Sequence, residues 1–390
     1  MARSLLYINA QVFCALDIEN APIPSTPNFI DKIHIVEGMG QAVPILELYL
    51  YDQIGSLAEQ LSLFEGKKVD IILGKSEQAN FSSTYRVYAF SSLHTHAGQI
   101  LRVVCTLDSY IYYSRATTKA YTGHSNGVIS EVASDCGMLF DGPRVPPNDA
   151  QKWLCVGSTL NSFSEDVASH GYTNQSSCMA RTVSARGVIR YKDLFNELMQ
   201  EPTATFLHND HVSDNPQGLE FLVREVNVAS RGGTFSNWMN YGFHQHEHSL
   251  SGKEYQNVAL NAPIAKGFPV NHEIRQQVQR SRLGYVGLDT GTTEFKSGNV
   301  HKNYNTAHYQ NVRFLSLFTD KLDCVVEQYT GLQPFDTVNL KFNDLKENSF
   351  IQNARYSGLY VISNKTTLLK NGVRYAEKFT LMRPSVGNAN

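Results

Sequence analysis

The chain has 390 residues, enough for two to four domains and a core that folds without covalent staples. Its formal net charge of −2, from 34 Lys and Arg against 36 Asp and Glu with no basic block, argues against a protein that holds nucleic acid by neutralising phosphates. No uncharged apolar run approaches the ~18 residues of a membrane span, and residues 1–10 are too short and interrupted for a signal peptide, so the expectation is a chain made and folded in the cytoplasm without membrane insertion.

From residue 5 to about 115 the pattern is strand after strand. Segments 12–18, 33–36, 45–50, 66–73, 85–90 and 99–107 carry β-branched and aromatic residues with frequent alternation. Pro22, Pro24 and Pro27, then Gly38 and Gly40, then Gly98 supply the turns. Leu57 and Leu61, four apart, predict a short helix closing one barrel end.

Beyond Arg115 helical spacing takes over. A helix is predicted from Ser125 or Asn126 to Cys136, with Val128, Ile129, Val132 and Ala133 on one face and Gly137 as its stop. A second runs from Ser158 to His170, and segments 178–183 and 188–191 form a hairpin around Gly187. This is a small α/β module over 116–200.

Strands resume at 220–228 and 238–243. Residues 244–305 are polar and irregular apart from a helical pattern over 272–283, too long for a loop in a compact domain, and are read as an inserted subdomain or partner-binding arm. Segments 322–327, 335–342, 358–363 and 375–381 then repeat the order of 45–50, 66–73, 85–90 and 99–107. The fold class is mainly β with α+β inserts: a first antiparallel barrel over 1–115, the α/β module, a second and discontinuous barrel over 201–243 and 306–384, the insertion, and a tail over 385–390.

Few groupings invite chemistry. His244, His246 and His248 would share one face of a strand and could chelate a transition metal, which makes a metal-dependent hydrolase the alternative of another class. Against it, no H-E-x-x-H helix and no fourth ligand is implied, and a polar strand end explains the run. His208, Asp210 and His211 read as a turn-rich loop, and His94 and His96 as hairpin-loop residues. Glu165 and Asp166 are adjacent on a helix, face apart and read as solvated surface. Gly232 and Gly233 lack the Lys and the helix of a phosphate cradle and read as a turn. Tyr110, Ile111, Tyr112 and Tyr113 read as strand packing or an interface. Cys14, Cys105, Cys136, Cys155, Cys178 and Cys324 are scattered without a metal spacing and read as buried thiols, with a disulfide only where distant pairs meet. No catalytic, cofactor-binding or metal-ligating residue is assigned, and no cofactor is implied.

The order of parts resembles the central tail-hub, or baseplate hub, proteins of tailed bacteriophages, a family whose fold also begins type VI secretion spike proteins. The resemblance rests on 107–110 leading to Ser114 and Arg115, on 121–125 before a helix, on the run from Trp153 through Phe163 and 168–172 to 189–194, and on 310–311, 336–338, 356–361 and 381–383. It covers most of the chain, and its specificity lies in the order. It implies a non-enzymatic homotrimer in which two tail-tube-like barrels per subunit build a pseudo-sixfold ring between a sixfold tail tube and a threefold central spike. The implied partners are the tube or a distal tail protein, the spike and a tape-measure protein, with DNA only in transit through the lumen. The implied location is the tail tip or baseplate of the virion. The alternative within this class is the base of a secretion-system or contractile-injection spike; such chains usually continue into a needle-like β-helix, whereas this one ends at Asn390.

Overall fold

The computed structural model describes residues 6–8, 12–19, 21–22, 29–53, 55–75, 78–95, 98–209, 219–230, 244–248, 255–259, 300–315, 317–346, 349–370 and 374–384. The first region supplies β1 (Leu6–Ile8), β2 (Val12–Ile18), β3 (Ala21–Pro22), β4 (Ile30–Gly38), β5 (Ile45–Asp52), α1 (Leu57–Gln60), β6 (Lys68–Lys75), β7 (Gln78–Thr95) and β8 (Gly98–Leu107). The middle adds α2 (Tyr110–Tyr113), β9 (Ala116–Gly123), α3 (Ser125–Asp135), β10 (Leu139–Asp141), β11 (Gln151–Thr159), α4 (Leu160–Ser169), β12 (Met179–Val183), β13 (Val188–Asp193) and α5 (Leu194–Leu198). The last region contributes β14 (Ala204–His208), β15 (Leu219–Leu222), β16 (Glu225–Ser230), β17 (His244–His248), β18 (Tyr255–Ala259) and α6 (Tyr304–Leu315). It closes with β19 (Asp320–Val326), β20 (Thr337–Lys346), β21 (Ser349–Gln352), β22 (Gly358–Lys370) and β23 (Arg374–Arg383).

Alternation decides the strands. Leu46, Leu48 and Leu50 of β5 are fully buried while their neighbours are half-exposed, and Leu101, Val103 and Cys105 of β8 face the same core. In the last region Leu322, Cys324, Val338, Leu340, Tyr360, Ile362, Phe379 and Leu381 do the equivalent around a separate core.

Sixteen of the described strands join one sheet, which is not closed among the described residues. Its connectivity is written twice. In the first half β4 pairs β5, β5 pairs β8, β8 pairs β7 and β7 pairs β6, all antiparallel. In the second half β16 pairs β19, β19 pairs β23, β23 pairs β22 and β22 pairs β20, again antiparallel.

The repetition extends to single residues. A transverse row of partners runs Ile35, Leu46, Cys105, Val87 in one half and Val228, Leu322, Leu381, Ile362 in the other. Each row meets a β-bulge at its last member, between Val87 and Ala89 and between Ile362 and Asn364. Val87 bonds Lys67 and Gly66 as Ile362 bonds Asp336 and Phe335, with backbone distances of 2.9 and 2.7 Å in both halves. The halves differ at that point in residue type: Gly66 has φ 89° and Phe335 has φ 73°. A left-handed backbone is natural for glycine and costs a phenylalanine of order 1–3 kcal/mol. The Phe335 ring is fully buried with Phe314, Phe195 and Val361, which offsets that strain.

Between the halves sits the module. β10, β13 and β12 form a three-stranded sheet with β10 parallel to β13, and β9 pairs β11 as a separate ribbon. The apolar faces of α3 and α4 pack inward through Val128, Ile129, Val132, Phe163 and Val167. The Asp149 carboxylate fixes the start of α3, accepting from Ser125 N at 2.9 Å and Ser125 Oγ at 2.6 Å, and it also accepts from Tyr172 N at 2.9 Å.

Several sequence expectations are corrected. His124, not Ser125 or Asn126, stands at the cap of α3, because Asp149 supplies the capping oxygen from a distance. The segment 220–228 is broken at Val223 and Arg224: β15 lies parallel to β14, whereas β16 crosses to β19. Residues 304–315, expected to open the second barrel from 306, are the helix α6. Its Asn311 amide donates to Ser169 O and Gly171 O, both at 2.9 Å, and accepts from Met179 N, so α6 docks on the module. The stretch 244–305 is not wholly irregular, since β17 and β18 form an antiparallel pair. The expected helix over 272–283, the expected strand 238–243 and the tail 385–390 lie outside the described residues.

Candidate assembly junction

The two halves are fused along one strand. β22 pairs β20 through Gly358–Val361, then, past the bulge, pairs β4 antiparallel from Asn364 opposite Gly38 to Lys370 opposite Lys32. Gly38 has φ 143°, and a Cβ there would lie 2.5 Å from Ser363 O. Only glycine allows β4 this close to the bulge, where Met39 N then bonds Ser363 O at 3.0 Å.

Charges are buried at this seam. Lys365 on β22 pairs Glu377 on β23 at 2.9 Å, and Glu37 of β4 is buried beside them. Lys365 Nζ also donates to Leu332 O at 2.9 Å. Glu377 accepts from Thr330 N at 3.1 Å, Thr330 Oγ1 at 2.5 Å and Tyr375 OH at 2.7 Å. Glu37 accepts from Ala185 N in the module's β12–β13 turn. Arg186 in that turn donates to Tyr329 OH and Gly331 O. Glu37, Ala185, Arg186, Tyr329, Lys365 and Tyr375 line a cavity of about 20 Å³, room for about one water.

The electrostatics follow from burial. Burial pushes the Glu37 carboxyl above its ordinary value, against the opposing pull of Lys365. Burial also works to lower Lys365, but Glu377 and Glu37 outweigh it and hold the ammonium above the ordinary lysine value. Lys365 is the cation on which both carboxylates depend, since removing it would strand Glu377 and Glu37 in low dielectric.

A second charged link ties the module to the second half. Arg190 on β13 contacts Asp141 and Asp336, each at 2.9 Å, and donates to Pro334 O, while Lys192 meets Asp141 at 2.5 Å. Burial would raise Asp141, yet Lys192 and Arg190 prevail and keep it below the ordinary carboxylate value. The chemistry of the whole arrangement is fixation: it locks three segments of chain in one geometry.

His244, His246 and His248 do lie two apart on β17, opposite Ala259, Asn257 and Tyr255. The facing strand brings no His, Cys, Asp or Glu, and among the described residues no three such groups are placed to hold a metal. The hydrolase alternative finds no support there. His208 ends β14 rather than lying in a loop. Its ring stacks on Phe342 with centroids 4.5 Å apart, and burial lowers its pKa. His94 belongs to β7, not to a loop. His96, Asp210, His211, Gly232 and Gly233 lie outside the described residues.

Tyr110–Tyr113 is the helix α2, not a strand. Its buried Tyr112 bonds Ser164 Oγ at 2.9 Å and accepts from Arg181. Glu165 is more than solvated surface, because it pairs the buried Arg181 guanidinium, which Asn161 also binds. Asp166 pairs His170 at 3.3 Å. Cys105, Cys155, Cys178 and Cys324 are buried free thiols and Cys136 is half-buried and free. Burial pushes Cys105 up to about 12. The Cys14 side chain lies outside the described residues.

Glu37, Lys365, Glu377 and Arg190 escaped the sequence reading. One signal was there: Glu377 interrupts the apolar alternation of Tyr375, Phe379 and Leu381, where a charge implies a partner.

This β-rich fold, built as two halves of one design, is shared with solved tail proteins. No protein-family model matches the sequence, and no curated protein matches it. The tail protein from Neisseria meningitidis MC58 is similar in structure, with a TM-score of 0.54 at 9% identity over 95% of this chain and 96% of that one. The 43 kDa tail protein of prophage MuSo2 from Shewanella oneidensis gives 0.53 at 10% identity, covering 95% and 96%. An E. coli component of the type VI secretion system gives 0.47 at 11% identity, covering 95% and 78%.

Proposed function

We propose that this chain is a structural virion protein, the trimeric hub at a tail tip or baseplate. In this reading each half is a tail-tube-like barrel, so three chains present six similar barrels to a sixfold tube on one side and a threefold central spike on the other. The tube or a distal tail protein, the spike and a tape-measure protein are the partners. DNA crosses the lumen, and the near-neutral charge of the chain suits passage without retention.

The observation that carries the reading is the residue-by-residue repeat of pairing, bulge and turn in the two halves, in a chain whose fold is shared with tail proteins over almost its full length. Duplicated halves have an evident use where a threefold body must match a sixfold one. Light scattering on the purified protein tests it. The expected mass is three times the 43.7 kDa of the chain; a particle that stays a single chain at tens of micromolar, with or without tube and spike proteins, would overturn it.

A further inference from the structure

Among the described residues, the seam between the halves is a template with one copy unused. Inside the chain, the β22–β23 hairpin of the second half receives β4 of the first half along Asn364–Lys370. The equivalent hairpin of the first half, β7–β8, carries the same free stretch beyond its bulge. Among the described residues β7 pairs β6 only as far as Arg86, and from Ala89 to Thr95 it pairs β8 alone. The equivalent of β4 in the second half is β16, which among the described residues pairs β19 on one side only.

Exposure agrees with the pairing. On β22 every residue from Ile362 to Leu369 is buried or half-buried, whereas on β7 every residue from Tyr88 to His94 is exposed. Tyr88, Phe90 and Leu93 are 64%, 42% and 40% exposed, and Val228 on β16 is 48% exposed. Among the described residues β7 thus presents an unpaired strand edge carrying large apolar side chains, and such an edge is a ready template for strand addition by another chain.

We propose that β7 of one copy pairs antiparallel with β16 of a second copy of this chain, repeating between chains the junction that β22 and β4 make within one. The register follows from the repeat. Ser92 is the equivalent of Thr367, and Val228 is the equivalent of Ile35, which Thr367 faces across the internal seam. Ser92 therefore sits opposite Val228, Leu93 opposite Asn227, His94 opposite Val226 and Thr95 opposite Glu225. The seam joins the first half of one chain to the second half of the next, so it is heterologous, and such contacts close into a ring when the rotation allows. Covering Phe90 and Leu93 supplies the apolar burial.

This inference rests on the trimeric reading above, and the experiment separates the two. The double variant Ser92→Cys, Val228→Cys is oxidised with copper phenanthroline and run without reductant, with each single variant setting the background from the native thiols. Opposed residues of an antiparallel pair lie within disulfide reach. Linked dimers and trimers in the double variant alone are expected. A variant that assembles as trimers and yields only background cross-links overturns the junction and leaves the trimer standing; a chain that is monomeric at every concentration overturns both. The exposed pair Phe90→Asp, Leu93→Asp gives a second reading: it is expected to elute as a single chain at concentrations where wild type is a trimer, with an unchanged circular dichroism spectrum. Retained trimer in that variant overturns the junction.

Discussion

The β7–β8 and β22–β23 hairpins are one design in two settings. They share the bulge, the pairing row and the turn that enters the preceding strand. They differ in what stands just past the bulge. In the second half Lys365 and Glu377 are buried with Glu37 under the module's turn, and at the matching places in the first half stand Phe90 and Leu101. A seam made once, within a chain, can use buried charge, because its partners are held at fixed distance and the desolvation cost is met during folding. An edge that stays open to solvent carries apolar groups instead, which tolerate exposure and gain on burial.

The largest expected effect tests the charged seam. Lys365→Ala leaves Glu377 and Glu37 buried without their cation, and the loss of one partner of a buried pair costs about 3–5 kcal/mol. Urea unfolding followed by circular dichroism measures it. A loss under about 1 kcal/mol would mean that Lys365 is a solvated surface group and that the comparison of seams fails.

Gly38→Ala comes next. The added Cβ would meet Ser363 O at 2.5 Å and the backbone would keep a φ of 143°, so β4 must shift or strain at a cost of about 1–3 kcal/mol. Gly40→Ala is the control for backbone strain alone, since nothing lies within 4 Å of its added Cβ. Equal losses in the two variants would show that closeness to the bulge does not matter.

Glu37→Gln separates pH regimes. The folded-state pKa of Glu37 lies above its ordinary 4.5, so the stability linked to its protonation is complete below about that pH and fades as pH rises through the raised value. Glutamine keeps an acceptor for Ala185 N and never ionises. The variant should match wild type at pH 4 and gain on it toward pH 8 in urea titrations; wild type gaining with pH would reverse the assigned sign.

The sequence shows which of these features can be read without coordinates. The two sets of four strands were legible because alternation at Leu46, Leu48 and Leu50, or at Leu322, Cys324 and Val326, is a local signal. The ribbon of β9 and β11 was missed because Ala116–Gly123 is rich in small and polar residues and buries only Tyr121, so its pattern carries no hydrophobic stripe. The helix α6 was missed for a related reason: it is held on the module by amide hydrogen bonds from Gln310 and Asn311, which leave no period in the sequence. The seam itself is a long-range object. Glu37 and Lys365 are each an ordinary charge until the chain brings them together.

The smallest effect on the isolated chain is expected at Phe90, and it bears hardest on the comparison. Phe90 is 42% exposed and matches Lys365 in the repeat. If the open edge is a docking strand, Phe90→Ser should change the unfolding free energy of dilute, monomeric protein by no more than about 0.5 kcal/mol, as surface substitutions do. The same change should remove concentration dependence from thermal unfolding. Association that stabilises the folded state makes the midpoint rise with protein concentration, and a variant that cannot associate shows one midpoint at all concentrations. Were wild type to show no such rise, the apolar edge of β7 would need no second chain to explain it; were Phe90→Ser to destabilise the dilute monomer as strongly as Lys365→Ala, the two hairpins would be sealed alike, and the first half would already have its cover within the same chain.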